Sequence, residues 1–132
     1  MIAVNNFMRS AVEQALCGMI EGGHPVGAVL VKDGQIVGKG HNHVIANNDP
    51  TAHAEMEAIR NAGRIDFAGT TLYSTVMPCP MCAAAIAYLG IPHVVAGDSR
   101  SMLHGKDILL REGVAVEDLD LDVCRNLAYQ TI

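Results

Sequence analysis

Two cysteines three residues apart, Cys79 and Cys82, stand where a helix is expected to begin. Pro78 and Pro80 flank the first of them, and proline suits an opening turn because its missing N–H would be unpaired there anyway. On a helix, that spacing puts both sulfurs on one face, so they can reach a single point. The opening turn also offers unpaired N–H groups and the positive end of the helix dipole, which favour thiolate, the form that ligates metal. His53 opens a second expected helix behind Asp49-Pro50-Thr51. The spacing therefore predicts a fold in which two helix N-termini converge on one ion.

One histidine and two cysteines give three protein ligands and leave a fourth position open, the arrangement of a catalytic zinc rather than a closed structural one. Zn2+ is the expected cofactor. A bound zinc lowers the pKa of water in the open position to about 7. Glu55 is the expected proton carrier: residues two apart do not share a helix face, yet in a first turn viewed end-on both can point at a site over the helix end. The alternative is a zinc knuckle that only holds the fold, or three merely buried side chains. A structural site wants a fourth Cys or His nearby, and the flanking sequence has none at suitable spacing.

The rest of the chain supplies the scaffold. Phe7, Met8, Ala11, Ala15, Leu16 and Met19 recur at helical spacing, predicting a helix over 5–20 that Gly22 and Gly23 stop. Val26–Val31 and Gln35–Gly40 read as strands joined at Asp33-Gly34, a hairpin signal. A helix is expected over 52–61, stopped by Gly63, then a strand over 70–76. The helix over 79–89 is apolar on every side, which predicts burial on more than one face. Strands over 93–97 and 114–116 and helices over 103–111 and 122–129 complete the order, which favours one α/β sheet covered by helices on both faces. No linker or repeat interrupts it, so residues 1–132 are read as a single domain.

With nine Lys and Arg against fourteen Asp and Glu, the net charge is −5, which disfavours nucleic acid as partner because phosphate binding is carried by basic residues. No apolar run approaches the roughly 18 to 20 residues of a membrane span, and the opening lacks the order of a secretory signal, so a cytoplasmic protein is expected. Reduced thiols are expected there, with Cys17 and Cys124 as small buried hydrophobes.

The segments His53-Ala54-Glu55 and Pro78-Cys79-Pro80-Met81-Cys82 together match the H-x-E and P-C-x-x-C signature of zinc-dependent base deaminases. The chain resembles the cytidine deaminase superfamily over nearly its whole length, also through Val26-Gly27-Ala28-Val29, Gly40-His41-Asn42 and Asp49–Glu55. Lys32-Asp33-Gly34 and Asn48–Glu55 look like bacterial guanine deaminases and transfer-RNA adenosine deaminases. Glu21-Gly22-Gly23, Pro25, Gly63-Arg64, Thr70–Thr75 and Tyr88–Gly97 are similar to fungal-type cytosine deaminase.

The resemblance implies a three-layer α/β/α sandwich around a mixed five-stranded sheet and a homodimer, which the all-apolar helix over 79–89 also suggests. It implies hydrolytic deamination of a free nucleobase or similar small aminated heterocycle, cytosine first, with guanine, isocytosine or a triazine behind it. A transfer-RNA adenosine deaminase and a zinc-stabilised binding domain without chemistry stand as alternatives. By position, Asn42 matches the asparagine that holds the substrate ring, although the local sequence equally suits a turn cap. Val26, Ala54, Met77 and Met102 are the further residues expected at the substrate. Met102 stands where the fungal enzymes have a pocket Phe, and Ala128–Ile132 offers no counterpart to their pocket-closing C-terminal segment.

Among the remaining histidines, His41 is a candidate for the site mouth and His104 a weaker one; His43 and His93 read as surface or strand residues, and His24 has no assigned role. Met81 is expected to pack around the site. The run Glu117–Asp122 reads as a solvated edge leading to a helix cap.

Overall fold

The computed structural model describes residues 5–99 and 103–128. Met102, Tyr129 and the remainder of the C-terminal segment lie outside the described residues. Helix α1 (Asn6–Ile20) begins at Asn5, whose side-chain oxygen accepts from the Phe7 N–H at 2.7 Å. Strands β1 (Gly27–Lys32) and β2 (Gln35–His41) form the expected hairpin. Asp33 and Gly34 take φ of 52° and 75°, the paired positive values that a two-residue hairpin turn requires. A single helical turn, α2 (Val44–Asn47), follows; four residues are too few to display a helical period, and the sequence reading missed it. Then come α3 (Ala54–Ala62), β3 (Thr70–Ser74), α4 (Pro80–Leu89), β4 (His93–Ala96), α5 (Leu103–Arg111), β5 (Ala115–Asp118) and α6 (Asp122–Ala128).

The sheet order is β2-β1-β3-β4-β5, with β1 antiparallel to both neighbours and β3, β4 and β5 parallel. The mixed five-stranded sheet of the resemblance is thus present. Strand alternation sorts the core into two layers. Ala28, Leu30, Leu72, Val94 and Ala96 join Ala54, Ala58, Ala83, Ile86 and Leu109 on the side covered by α3, α4 and α5. Val95 joins Met8, Ala11 and Cys124 on the side covered by α1 and α6. Each fully buried Leu or Ile contributes roughly 1.5–3 kcal/mol through burial, and none of this core is aromatic.

Small residues let α3 lie close on the hairpin. A Cβ on Gly40 would stand 2.5 Å from both the Ala54 carbonyl oxygen and the Ala58 nitrogen, and one on Gly38 would stand 2.2 Å from the Ala58 oxygen. The first turns of α3 therefore rest on bare backbone.

Two expectations on burial are corrected. Cys17 is exposed, because α1 meets the sheet through Met8, Ala11, Ala15 and Gly18 and leaves Cys17 outward; Cys124 is buried as expected. Helix α4 buries one face in the chain, Cys82, Ala83 and Ile86, while Ala84 is exposed and Tyr88 is 89% exposed. The acidic run is an exposed edge, with Asp120 and Asp122 pairing with Arg125. No described helix is long and apolar enough to cross a membrane.

Candidate metal centre

His53 and Cys79 occupy equivalent places, each the residue that caps the N-terminus of its helix, with extended backbone (φ −71° and −69°). Neither side chain is spent on capping, so each points outward beyond the helix end. Cys82 lies in the first turn of α4, where the i, i+3 spacing returns it to the same face as Cys79. The predicted start of α3 at Ala52 moves to Ala54, because His53 serves as the cap.

The result is a compact group. His53 Nδ1 is 3.4 Å from Cys79 Sγ and 3.6 Å from Cys82 Sγ, and the three ligand atoms lie within 4.8 Å of one another. A tetrahedral zinc with Zn–N near 2.0 Å and Zn–S near 2.3 Å holds its nitrogen and sulfur ligands about 3.5 Å apart. The observed separations meet that value, and a borderline-soft N/S donor set is what zinc prefers. The donors therefore fit Zn2+ by geometry and by chemistry.

The electrostatics fit as well. Burial, and then the nearby His24, holds the His53 imidazole below its ordinary pKa, in the neutral form that ligates metal. Burial raises the Cys82 thiol strongly, with Glu55 and Cys79 adding to the shift, so this sulfur needs a cation to become thiolate. Against that, the Met56 N–H in the first turn of α3 points at the Cys82 sulfur. The N-terminal end of α3 thus presents His53 and also addresses the Cys82 sulfur of α4.

Glu55 lies in the first turn of α3 and is 3% exposed. Burial pushes its carboxyl from 4.5 up to about 7, while its own backbone N–H and the Ser74 hydroxyl pull weakly the other way. A carboxyl poised near neutrality both takes and gives protons at working pH. Ser74 was not singled out from the sequence. Its signal was a hydroxyl on the inward face of β3, in register with Leu72, where the alternation calls for an apolar residue. Ser74 Oγ is buried and has no hydrogen-bond partner within bonding distance among the described residues, and it is the smallest of the influences on Glu55.

Gly105 was missed too. A Cβ there would fall 1.7 Å from the Pro78 carbonyl oxygen, so α5 can seat on the Pro78-Cys79 segment only through a glycine. A glycine inside an otherwise helical run was the available sign.

Asn42 is 9% exposed, at the end of β2, and its Oδ1 accepts from the Val44 N–H at 3.0 Å. The turn-capping alternative is therefore realised, through the side-chain oxygen. Val26 is half-buried and accepts from the Asn42 N–H at 3.2 Å, which ties the two residues together. Ala54 and Met77 are fully buried in the core beneath α3 and α4. His41 turns its side chain to the α1 face, against Gln14 and Glu21, rather than toward the His53 group. His104 is exposed on α5, His24 is exposed, and His43 and His93 are half-buried.

Comparison with known proteins agrees with this geometry. A family described as the cytidine and deoxycytidylate deaminase zinc-binding region matches residues 1–98. Cytosine deaminase of Candida albicans is 35% identical over 129 residues, covering 95% of this chain and 86% of that protein. A tRNA-specific adenosine deaminase of Streptococcus pyogenes is 41% identical over 107 residues, covering 78% of this chain and 67% of that protein. The X-ray structure of guanine deaminase from Bacillus subtilis superposes with a TM-score of 0.69 at 37% identity, covering 81% of this chain and 71% of that one. With its fold, its His-Cys-Cys group and these matches in agreement, the chain belongs to the zinc-binding cytidine and deoxycytidylate deaminase family.

Proposed function

We propose that this protein hydrolyses the exocyclic amine of a free nucleobase or similar small aminated heterocycle, with cytosine as the leading substrate. The observation that carries the reading is the placement of a buried, near-neutral Glu55 carboxyl beside three donors spaced for one zinc ion. His53 Nδ1, Cys79 Sγ and Cys82 Sγ are the assigned zinc ligands. When bound, zinc supplies a Lewis acid that makes water nucleophilic at neutral pH. The Glu55 carboxylate takes a proton from the attacking water and passes protons to the ring nitrogen and the departing amine. Water and the amine thus become a ring carbonyl and ammonia. Burial of Glu55 keeps bulk water from competing for those protons.

Asn42 is assigned to orient the ring. Its Oδ1 is engaged by Val44, which fixes the amide plane and leaves the Nδ2 hydrogens as the group offered to a ring acceptor. Val26, Ala54 and Met77 are proposed as the wall behind it; Met102 is kept as a candidate substrate residue from the resemblance alone, since it lies outside the described residues.

Cytosine is favoured because the match to a cytosine deaminase runs over nearly the whole chain. Guanine, or an isocytosine or triazine ring, is the next reading, on the likeness to a guanine deaminase. A transfer-RNA substrate has higher local identity in its favour, but fourteen acidic against nine basic residues is a poor surface for polyphosphate. Retention of Glu55 speaks against a zinc scaffold without chemistry, since a structural zinc needs no proton shuttle. A cytoplasmic homodimer completes the proposal, joined through the open side of α4 where Tyr88 and Ala84 are uncovered. The test is ammonia release by the zinc-loaded protein from cytosine, cytidine, guanine, guanosine, isocytosine, an aminotriazine and an adenosine-bearing anticodon stem-loop. Turnover of a free base ahead of its nucleoside is expected. Faster turnover of the nucleosides or of the RNA would overturn the reading.

A further inference from the structure

Apart from the His53 group, Glu21, His41 and His43 bring their ligand atoms within 4.8 Å of one another. We propose that these three residues form a second metal site, for a divalent transition cation that accepts nitrogen and carboxylate ligands.

His41 projects from the last position of β2 toward α1, where its ring packs on Gly18 at about van der Waals distance, 3.4 Å from a Cβ built on that glycine. Its Nδ1 lies 3.3 Å from Gln14 Oε1 and its Nε2 lies 3.1 Å from Glu21 Oε1. Both ring nitrogens are therefore engaged, and Nε2, which faces the Glu21 carboxylate, is the nitrogen placed to share a ligand with it.

His43 is the unsatisfied member: its ring stacks on His41 at 4.2 Å with a 35° tilt, and its buried Nδ1 has no hydrogen-bond partner among the described residues. A metal ion bound by Glu21, His41 and His43 supplies that missing partner. Glu21 is also the residue that ends α1, where the helix dipole favours positive charge. The outer side of the cluster is open, since the Glu21 side chain is 53% exposed, so water can complete the shell.

The donor set states the metal class. Two imidazoles and one carboxylate, with no thiolate, suit Zn2+, Ni2+ or Co2+ and offer too few oxygens for Ca2+ or Mg2+. An ion there would clamp the end of α1 to the segment that carries Asn42, because His41 and His43 are its two chain neighbours.

The experiment uses the full chain with the thiol-bearing site already loaded with zinc, titrated with NiCl2 and with ZnCl2 by calorimetry. A second binding event is expected, weaker than the first. Glu21→Gln, a change at a largely exposed residue, and His43→Gln should each weaken it by at least about tenfold, while both variants retain the first zinc. Cobalt taken up in this second event should show d–d bands without the sulfur-to-cobalt charge-transfer band that marks the first. Saturation at one equivalent, a second event indifferent to both variants, or a charge-transfer band accompanying it would each overturn the proposal. None of these readouts depends on which substrate the enzyme takes.

Discussion

Replacing Gly40 with alanine tests whether the close seating of α3 on β2 is what holds the metal ligands in register. The added Cβ would stand 2.5 Å from the Ala54 oxygen and the Ala58 nitrogen, about 0.9 Å short of the 3.4 Å at which ordinary contact begins. Both neighbours are helix backbone, so no rotamer change relieves the clash, and the N-terminal half of α3 must lift. Overpacking of this kind costs about 1–3 kcal/mol. The lift carries His53 Nδ1 away from the sulfurs it now faces at 3.4 and 3.6 Å, and displacing reacting groups by about 1 Å lowers turnover on the order of 10²-fold. Gly38→Ala is the control, since its Cβ meets the Ala58 oxygen at 2.2 Å and the Ala62 nitrogen at 2.9 Å, toward the far end of the same helix. Urea unfolding, zinc affinity by competition with a chelator, and ammonia release should be measured for both. Both variants should lose stability, but only Gly40→Ala should lose zinc affinity and rate out of proportion to that loss. An unchanged Gly40→Ala protein, or a Gly38→Ala protein with the weaker zinc binding, would refute the reasoning.

Glu55→Gln should keep zinc and lose at least about 10²- to 10⁴-fold in turnover. The same variant should stabilise the metal-free protein at high pH. Because the folded carboxyl titrates near 7 and the unfolded one near 4.5, stability falls as pH rises between those values. The full penalty above pH 7 is about 3 kcal/mol. Urea midpoints that do not diverge between the metal-free proteins from pH 5 to 8 would count against it. Cys79→Ser should cost most of the bound zinc, measured by elemental analysis; full loading would remove Cys79 from the ligand set. Asn42→Ala should lower catalytic efficiency roughly 5- to 150-fold, the cost of about 1–3 kcal/mol of unpaired hydrogen bonds, with zinc retained; an unaffected rate would remove it as the anchor. Light scattering at micromolar concentration should give a dimer, and a strictly monomeric mass would refute the proposed α4 contact.

The grouping of His53, Cys79 and Cys82 was legible because its information is local: prolines at Cys79, a three-residue cysteine spacing and a helix entry at His53 are all readable along the chain. The place of Glu55 in the first turn of the same helix was readable for the same reason. The exposure of Cys17, the direction of His41 and the one-sided burial of α4 were not. Each depends on which face of an element meets the sheet, and an all-apolar helix such as Pro80–Leu89 carries no polar stripe to declare it. His41 is set by strand register, its partner being Gly27 on the α1 side, and one residue of slip would have turned it to the other face. The positions of Gly38 and Gly40 in β2 read as ordinary strand glycines until α3 is laid across them.

The sheet changes character at β3, which pairs antiparallel with β1 on the hairpin side and parallel with β4 beyond, and this bears on the order in which the molecule assembles. A hairpin closes over a two-residue turn, whereas parallel neighbours must wait for a helical crossover, so the first half is poised to form early and the second late. His53 belongs to the helix that rests on the hairpin, and Cys79 and Cys82 to the crossover between β3 and β4. The three donors therefore come from both halves of the sheet, and the group is complete only when the two halves are docked.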